Sequence, residues 1–182
     1  MPTTHRKLAE LMLYISDRHE RDELFGSVRL AKTLFYADFL YYAKTGQSIT
    51  GERYIRKQNG PMPEALLGTR DRLQRDGSLV VKERFVMGHT QKRPIAIRTP
   101  DLSAFTADEI SMVEYVLSKL EGQSATEVSD LSHRFQAWQL AEDGEEIPYQ
   151  TALISERQPS AEDYAFAREL AGERREFTGD AA

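Results

Sequence analysis

Apolar residues recur at helical spacing from the start of the chain. Leu8, Leu11, Met12 and Ile15 share one face of residues 4–20, with charged positions between them, which predicts a first amphipathic helix. Gly26 and Ser27 then interrupt and cap. The stretch "SVRLAKTLFYADFLYYAK", from Ser27 to Lys44, has a different pattern. Leu30, Ala31, Leu34, Phe35, Ala37, Phe39, Leu40, Tyr41 and Tyr42 cover most of its circumference, as in a central buried helix. Its polar residues Arg29, Lys32, Thr33 and Asp38 must then find partners or water at the ends and on one narrow face. Gly46 ends the helix, and "SITGERYIRKQNGP" reads as a turn with a short extended piece before Gly60-Pro61.

Pro61 and Pro63 suit the first turn of a third helix, "PEALLGTRDRLQRDG", that stops at Gly77. The runs "SLVVKERFVMG" and "RPIAIRTP" favour strands, and with Gly88, His89, Thr90 and Gln91 between them they predict an antiparallel hairpin. Thr106, followed by Asp108 and Glu109, opens a fourth helix through Leu120. Gly122-Gln123-Ser124 separates it from a fifth, from about Ala125 to Leu140. A last amphipathic helix, "SAEDYAFARELAGERREF" with Ser160 as its cap, precedes a short tail. The expected fold is mainly α (α+β), a helical domain with a buried central helix and a small antiparallel β-hairpin. Residues 1–157 form this domain and residues 158–182 the C-terminal helix and tail.

The 182 residues suit one domain and are enough to bury a sizeable core. With no cysteine there is no disulfide framework, thiolate nucleophile or cysteine zinc site. His5, His19, His89 and His133 lack the short spacings that build a metal face, so neither metal nor cofactor is expected. No apolar run approaches the roughly 20 residues that span a bilayer, and the opening "MPTTHRKLAELMLYISDRHERDE" has no small-residue cleavage site. The chain reads as cytoplasmic, with no membrane contact. Its net charge of −5 is unevenly spread. Residues 51–98 carry eleven Lys/Arg against five Asp/Glu, whereas residues 99–182 carry six against eighteen.

Candidate chemistry concentrates in "LSHRFQAWQLAEDGEEIPY", residues 131–149. On a continuous helix Val128, Leu131, Phe135 and Trp138 form one apolar stripe, and His133 points almost the opposite way, towards Ser129, Asp130 and Ala137. Asp130, three residues earlier, is placed to orient the His133 ring. A general base also needs a nucleophile or an activated water, and the neighbouring sequence supplies neither. "GQSITGER" has two glycines at phosphate-loop spacing, but Glu52-Arg53 stand where Lys and Ser/Thr are required. Glu145 and Glu146 form a solvated acidic turn. No enzyme is expected from these residues.

Nucleic acid is the alternative. The order helix, turn, helix, hairpin resembles a winged helix. Its basic surface would comprise Arg70, Arg72 and Arg75 on the third helix with Lys82, Arg84, Lys92 and Arg93 on the hairpin. Against this, the connection between the helices is about 16 residues, beyond the 3 or 4 of a helix-turn-helix.

Three segments in order also resemble a known family, the Panacea domain, catalogued as SocA-like or phage-associated, of bacterial toxin–antitoxin systems. They are "RLAKTLFYADFLYYAKTGQSITGE", "YIRKQNGPMPEAL" and "LSHRFQAWQLAEDGEEIPY", within residues 7–155. The resemblance carries over Lys32, Tyr36 and Asp38 on the central helix, Gly60 and Pro61 in the turn, and His133, Trp138 and Tyr149 at the C-terminal motif. Thr33, where leucine is more usual, and Met62, where valine is commoner, depart from it. What it implies is an antitoxin without enzymatic activity that neutralises the toxin encoded beside it by direct binding. One SocA-type member is an adaptor that presents its toxin to the ClpXP protease, and the Ala181-Ala182 ending here is similar to tags that this protease recognises.

Overall fold

The computed structural model describes residues 4–86, 88–154 and 165. Most of the expected last helix, including the Ser160 cap, lies outside these residues, as does the tail.

The fold is mainly helical with two small antiparallel sheets, and α2 (Ser27–Thr45) is its axis. α1 (Thr4–Arg18) packs beside it. Next come β1 (Tyr54–Ile55), β2 (Met62–Pro63), α3 (Leu66–Arg75), β3 (Leu79–Val86) and β4 (His89–Ala96). The order ends with α4 (Ala107–Leu120), α5 (Ala125–His133), α6 (Gln136–Leu140) and a 3₁₀ turn, Tyr149–Leu153. Because α2 is apolar nearly all round, it feeds two cores. In the larger core Leu30 and Leu34 meet Leu8, Leu11, Met12 and Ile15 of α1 and Val113, Val116 and Leu120 of α4. In the smaller, Phe35 and Phe39 meet Tyr54, Ile147, Phe135, Trp138 and Tyr149. The last turn of α2 leaves this protection, and Leu40 is exposed.

Where the chain carries its own stop and start signals, the expected bounds hold. Gly46 closes α2 at φ 76°, a left-handed conformation that costs glycine little. Thr106 and Glu109 form a reciprocal capping box that opens α4.

Three elements differ from expectation. Pro61 and Pro63 do not open α3, which starts at Leu66. A residue before proline is driven towards extended backbone, so Met62 continues a strand and pairs with Ile55 while Pro63 pairs with Tyr54. The hairpin loop is shorter than the four residues expected. Val86 already pairs with His89, and Gly88 at φ 85° sits in the turn. The fifth helix is two helices, because Phe135 takes extended backbone (ψ 116°) between α5 and α6. Its ring lies edge-on to Phe35 and Phe39, with centroids 5.3 and 5.6 Å apart. Aromatic packing thus overrides helical continuity. The single stripe fails with it: Val128 is buried but Leu131 is exposed.

One expected surface residue belongs inside. Arg93 of β4 is buried, and its guanidinium donates to the carbonyls of His19, Glu20 and Asp22, just past the end of α1. A cation there satisfies carbonyls that have no helical partner and meets the negative end of the helix dipole. Arg93 is therefore no part of a basic surface.

Candidate functional site

The polar residues of α2 point into the fold. Lys32 is buried and its Nζ donates to the Pro61 carbonyl at 2.7 Å. Gly60 lies directly above. A Cβ on Gly60 would stand 2.1 Å from Ser132 Oγ and 2.8 Å from both Cε and Nζ of Lys32, and the backbone there has φ 96°. Only glycine fits both the conformation and the space. Ser132 at the end of α5 is fully buried and donates to the Ser129 carbonyl. Lys32, Gly60-Pro61 and Ser132, one group from each of the three sequence segments, thus meet at one point.

With no carboxylate beside it, burial pushes the Lys32 ammonium from its ordinary 10.5 down to about 7. Between those values the unfolded chain holds a proton that the folded chain lacks. Stability from this group is therefore present above pH 10.5 and is lost as pH falls through 7. Relative to Lys32→Met, the wild type is expected to gain about 1.4 kcal/mol per pH unit between roughly pH 7.5 and 9.5. Urea denaturation of both proteins across that range checks it, and a flat difference would contradict it.

Six residues further along α2, Asp38 is also buried. Its carboxylate accepts from the Thr50 amide at 2.8 Å, from the Thr50 hydroxyl, and from the Tyr54 hydroxyl at 2.8 Å. Burial raises its pKa, and the Thr50 and Tyr54 hydrogen bonds oppose that rise. Burial, reinforced by the facing Asp38, also pushes the Tyr54 phenol well up. Tyr149 closes the cluster. Its hydroxyl donates to the Glu52 carbonyl at 2.7 Å, and its ring packs on Phe39 and Tyr42. Buried Glu52 in turn meets His5 Nδ1 of α1 at 3.0 Å. Tyr36, on the same helix, packs against Phe35 with ring centroids 5.0 Å apart.

At the C-terminal motif, Trp138 Nε1 donates to the Lys57 carbonyl at 2.9 Å, and Arg56 Nε donates to the Trp138 carbonyl at 3.0 Å. The Arg56 guanidinium lies over the indole, 4.6 Å from its centroid. His133 does not point away from Trp138, as a continuous helix would require. The break at Phe135 lays the two rings together, centroids 4.0 Å apart and planes 13° apart. Stacking rather than Asp130 orients the imidazole, whose Nε2 is buried without a hydrogen-bond partner among the described residues.

The remaining basic residues divide. On α3, Arg70 pairs with Asp71 at 2.7 Å, Arg75 donates to the Asp71 carbonyl, and Arg72 is half-buried. Lys82, Arg84 and Lys92 are exposed on the hairpin. Thr50, Glu52, Tyr54, Arg56 and Ser132 escaped the sequence reading. For the first four a signal was present in "SITGERYIRKQNGP", whose polar side chains supply partners that the buried polar residues of α2 require.

Among the described residues no group of three or more His, Asp or Glu could hold a metal ion, and no helix is long and apolar enough to cross a membrane. No curated protein and no solved structure matches the chain. The family model for the antitoxin SocA-like, Panacea domain matches residues 30–139, from the first turn of α2 to α6. That span contains Lys32, Asp38, Gly60, Pro61, His133 and Trp138 and stops short of Tyr149. The matched span thus takes in the buried polar residues of α2, the glycine turn that closes over them and the stacked His-Trp pair, and the chain belongs to the antitoxin SocA-like, Panacea domain family.

Proposed function

We propose that this chain is the antitoxin of a toxin–antitoxin pair and neutralises its toxin by binding it directly, without chemistry of its own. The observation that carries this reading is where the motif side chains go. Lys32 is committed to Pro61, Asp38 to Thr50 and Tyr54, Trp138 to Lys57 and Tyr149 to Glu52. Groups held by internal hydrogen bonds build a scaffold. Work done by such a domain falls to its exposed surface. The function thus rests on contact with a partner, consistent with an antitoxin-like family.

The test is growth of a bacterial host while the adjacent reading frame is induced, with and without this chain. Arrest that the chain relieves supports the antitoxin reading, and toxicity that it leaves untouched opposes it. Relief with the toxin level unchanged marks direct blocking, whereas relief that requires ClpXP and lowers the toxin level marks the adaptor route. A second reading, duplex DNA binding, is favoured by the exposed Lys82, Arg84 and Lys92 on the hairpin. It has lost Arg93 to the interior, and α2 and α3 are joined by residues 46–65, which carry β1 and β2. Affinity for DNA that falls steeply with salt would restore it.

A further inference from the structure

β3 and β4 form a sheet of their own, and its two outer edges differ. Ile97 donates to the Ser78 carbonyl at 2.9 Å, and from there the register runs unbroken to Val86 and His89. Bonded pairs alternate along an antiparallel ladder, so Lys82 with Arg93 and Arg84 with Gln91 exchange hydrogen bonds. The backbone groups of Lys92 and Pro94 then point away from β3, and those of Val81, Glu83 and Phe85 point away from β4. The β4 edge is closed. Ser27 of α2 donates its hydroxyl to the Lys92 carbonyl at 2.9 Å, and Pro94 has no N–H to offer. The β3 edge is open, because no described residue hydrogen-bonds the outward N–H and C=O groups of Glu83 and Phe85. Lys82, Glu83, Arg84 and Phe85 are all exposed along it, Phe85 at 78%. Lys82 and Arg84 share one face of the strand, and neither pairs with a described carboxylate. Glu83 and Phe85 share the other, where Glu83 stands opposite Lys92.

We propose that this edge receives an extended segment of the toxin as a third strand, acidic at two alternate positions and apolar beside them, an inference that rests on the direct-binding reading. An open row of N–H and C=O groups is matched in full by another extended backbone. The acids of the segment lie opposite Lys82 and Arg84, and its apolar residue packs on Phe85 at the other face. The same charges turn away a second copy of this chain. Two β3 strands paired antiparallel about Glu83 would set Lys82 against Arg84 and Glu83 against itself, and like charges directly opposite destabilise a sheet. Nucleic acid does not complete the edge, since phosphates answer the cations but give no donor to the carbonyls.

The test uses the full chain and the product of the adjacent reading frame. Amide hydrogen exchange, read residue by residue by NMR, is expected to be fast at Glu83 and Phe85 in the free chain and at least tenfold slower in the complex. The Lys82 and Arg84 amides, bonded to β4, should be protected in both. Glu83→Pro removes an outward N–H without touching a bond between β3 and β4, and should weaken binding at least tenfold by calorimetry. Glu83→Gln, which keeps that N–H, should bind as the wild type does, and Lys82→Glu combined with Arg84→Glu should weaken binding as Glu83→Pro does. Circular dichroism confirms that each variant folds, and the exchange result needs no variant. Toxin that binds while Glu83 and Phe85 exchange as in the free chain overturns the edge and leaves the antitoxin reading standing. A wild-type chain that does not bind the toxin overturns both. Protection of these amides already in the free chain also overturns the proposal. Protection that grows with concentration would assign the edge to a second copy, and protection that does not would assign it to residues 155–182.

Discussion

Gly60→Ala is expected to cost about 4 kcal/mol, a large part of the roughly 5–15 kcal/mol that holds a domain folded. Two penalties combine. At φ 96° any side chain is strained, and the new methyl would stand 2.1 Å from Ser132 Oγ and 2.8 Å from Lys32 Nζ. Neither neighbour can give way easily. Ser132 is fully buried on α5, and moving Lys32 breaks its hydrogen bond to Pro61 within a closed interior. Gly46→Ala supplies the control. Its φ is also positive, at 76°, but nothing lies within 4 Å of a new Cβ there. It should cost only the backbone term, about 1–2 kcal/mol. The excess of Gly60→Ala over Gly46→Ala, read from urea midpoints at constant m, measures the close approach of the turn to Lys32 and Ser132. Equal losses would mean that the turn does not sit on them.

The second large effect is expected at Asp38. Asp38→Ala removes the acceptor of three hydrogen bonds and leaves the Thr50 amide, the Thr50 hydroxyl and the Tyr54 hydroxyl without it in a closed interior. Removing one side of a buried charged cluster costs about 3–5 kcal/mol, because the abandoned donors keep their desolvation penalty. Tyr54→Phe removes one donor and leaves the carboxylate two, so about 1–2 kcal/mol is expected. The double variant should lose clearly less than the sum of the two, since both changes strike one network. Additive losses in chemical denaturation would show that Asp38 and Tyr54 act independently.

These two sites also mark how far the sequence could be read. Helices with local signals were legible at their ends. Gly46 stops α2 because its own backbone freedom suffices, and Thr106 with Glu109 starts α4 through a contact three residues long. The burial of α2 was legible for a similar reason, since a helix apolar on all sides has no face to offer water. The fates of its polar residues were not. Lys32 meets a carbonyl 29 residues on and Asp38 meets Thr50 and Tyr54 across a turn, partners that only the folded chain brings near. The break at Phe135 was equally hidden, because Ala125 to Leu140 is a good helical pattern until Phe35 and Phe39 claim the ring. That one residue reversed the placement of His133, from facing away from Trp138 to stacking upon it. Arg93 misled in the same manner. A basic residue on a strand reads as surface until the open end of α1 is seen beside it. Non-local partners decided each of these cases, and composition or periodicity does not say which residues they are.

The central claim is that an inert scaffold works by holding its partner. The measurement that tests it most directly is size-exclusion chromatography with light scattering on the purified chain mixed with the product of the adjacent reading frame. A single species of defined stoichiometry, with loss of toxin activity in the same fractions, is the expected result. Separate elution of the two proteins, under conditions where this chain still relieves arrest in cells, would contradict it.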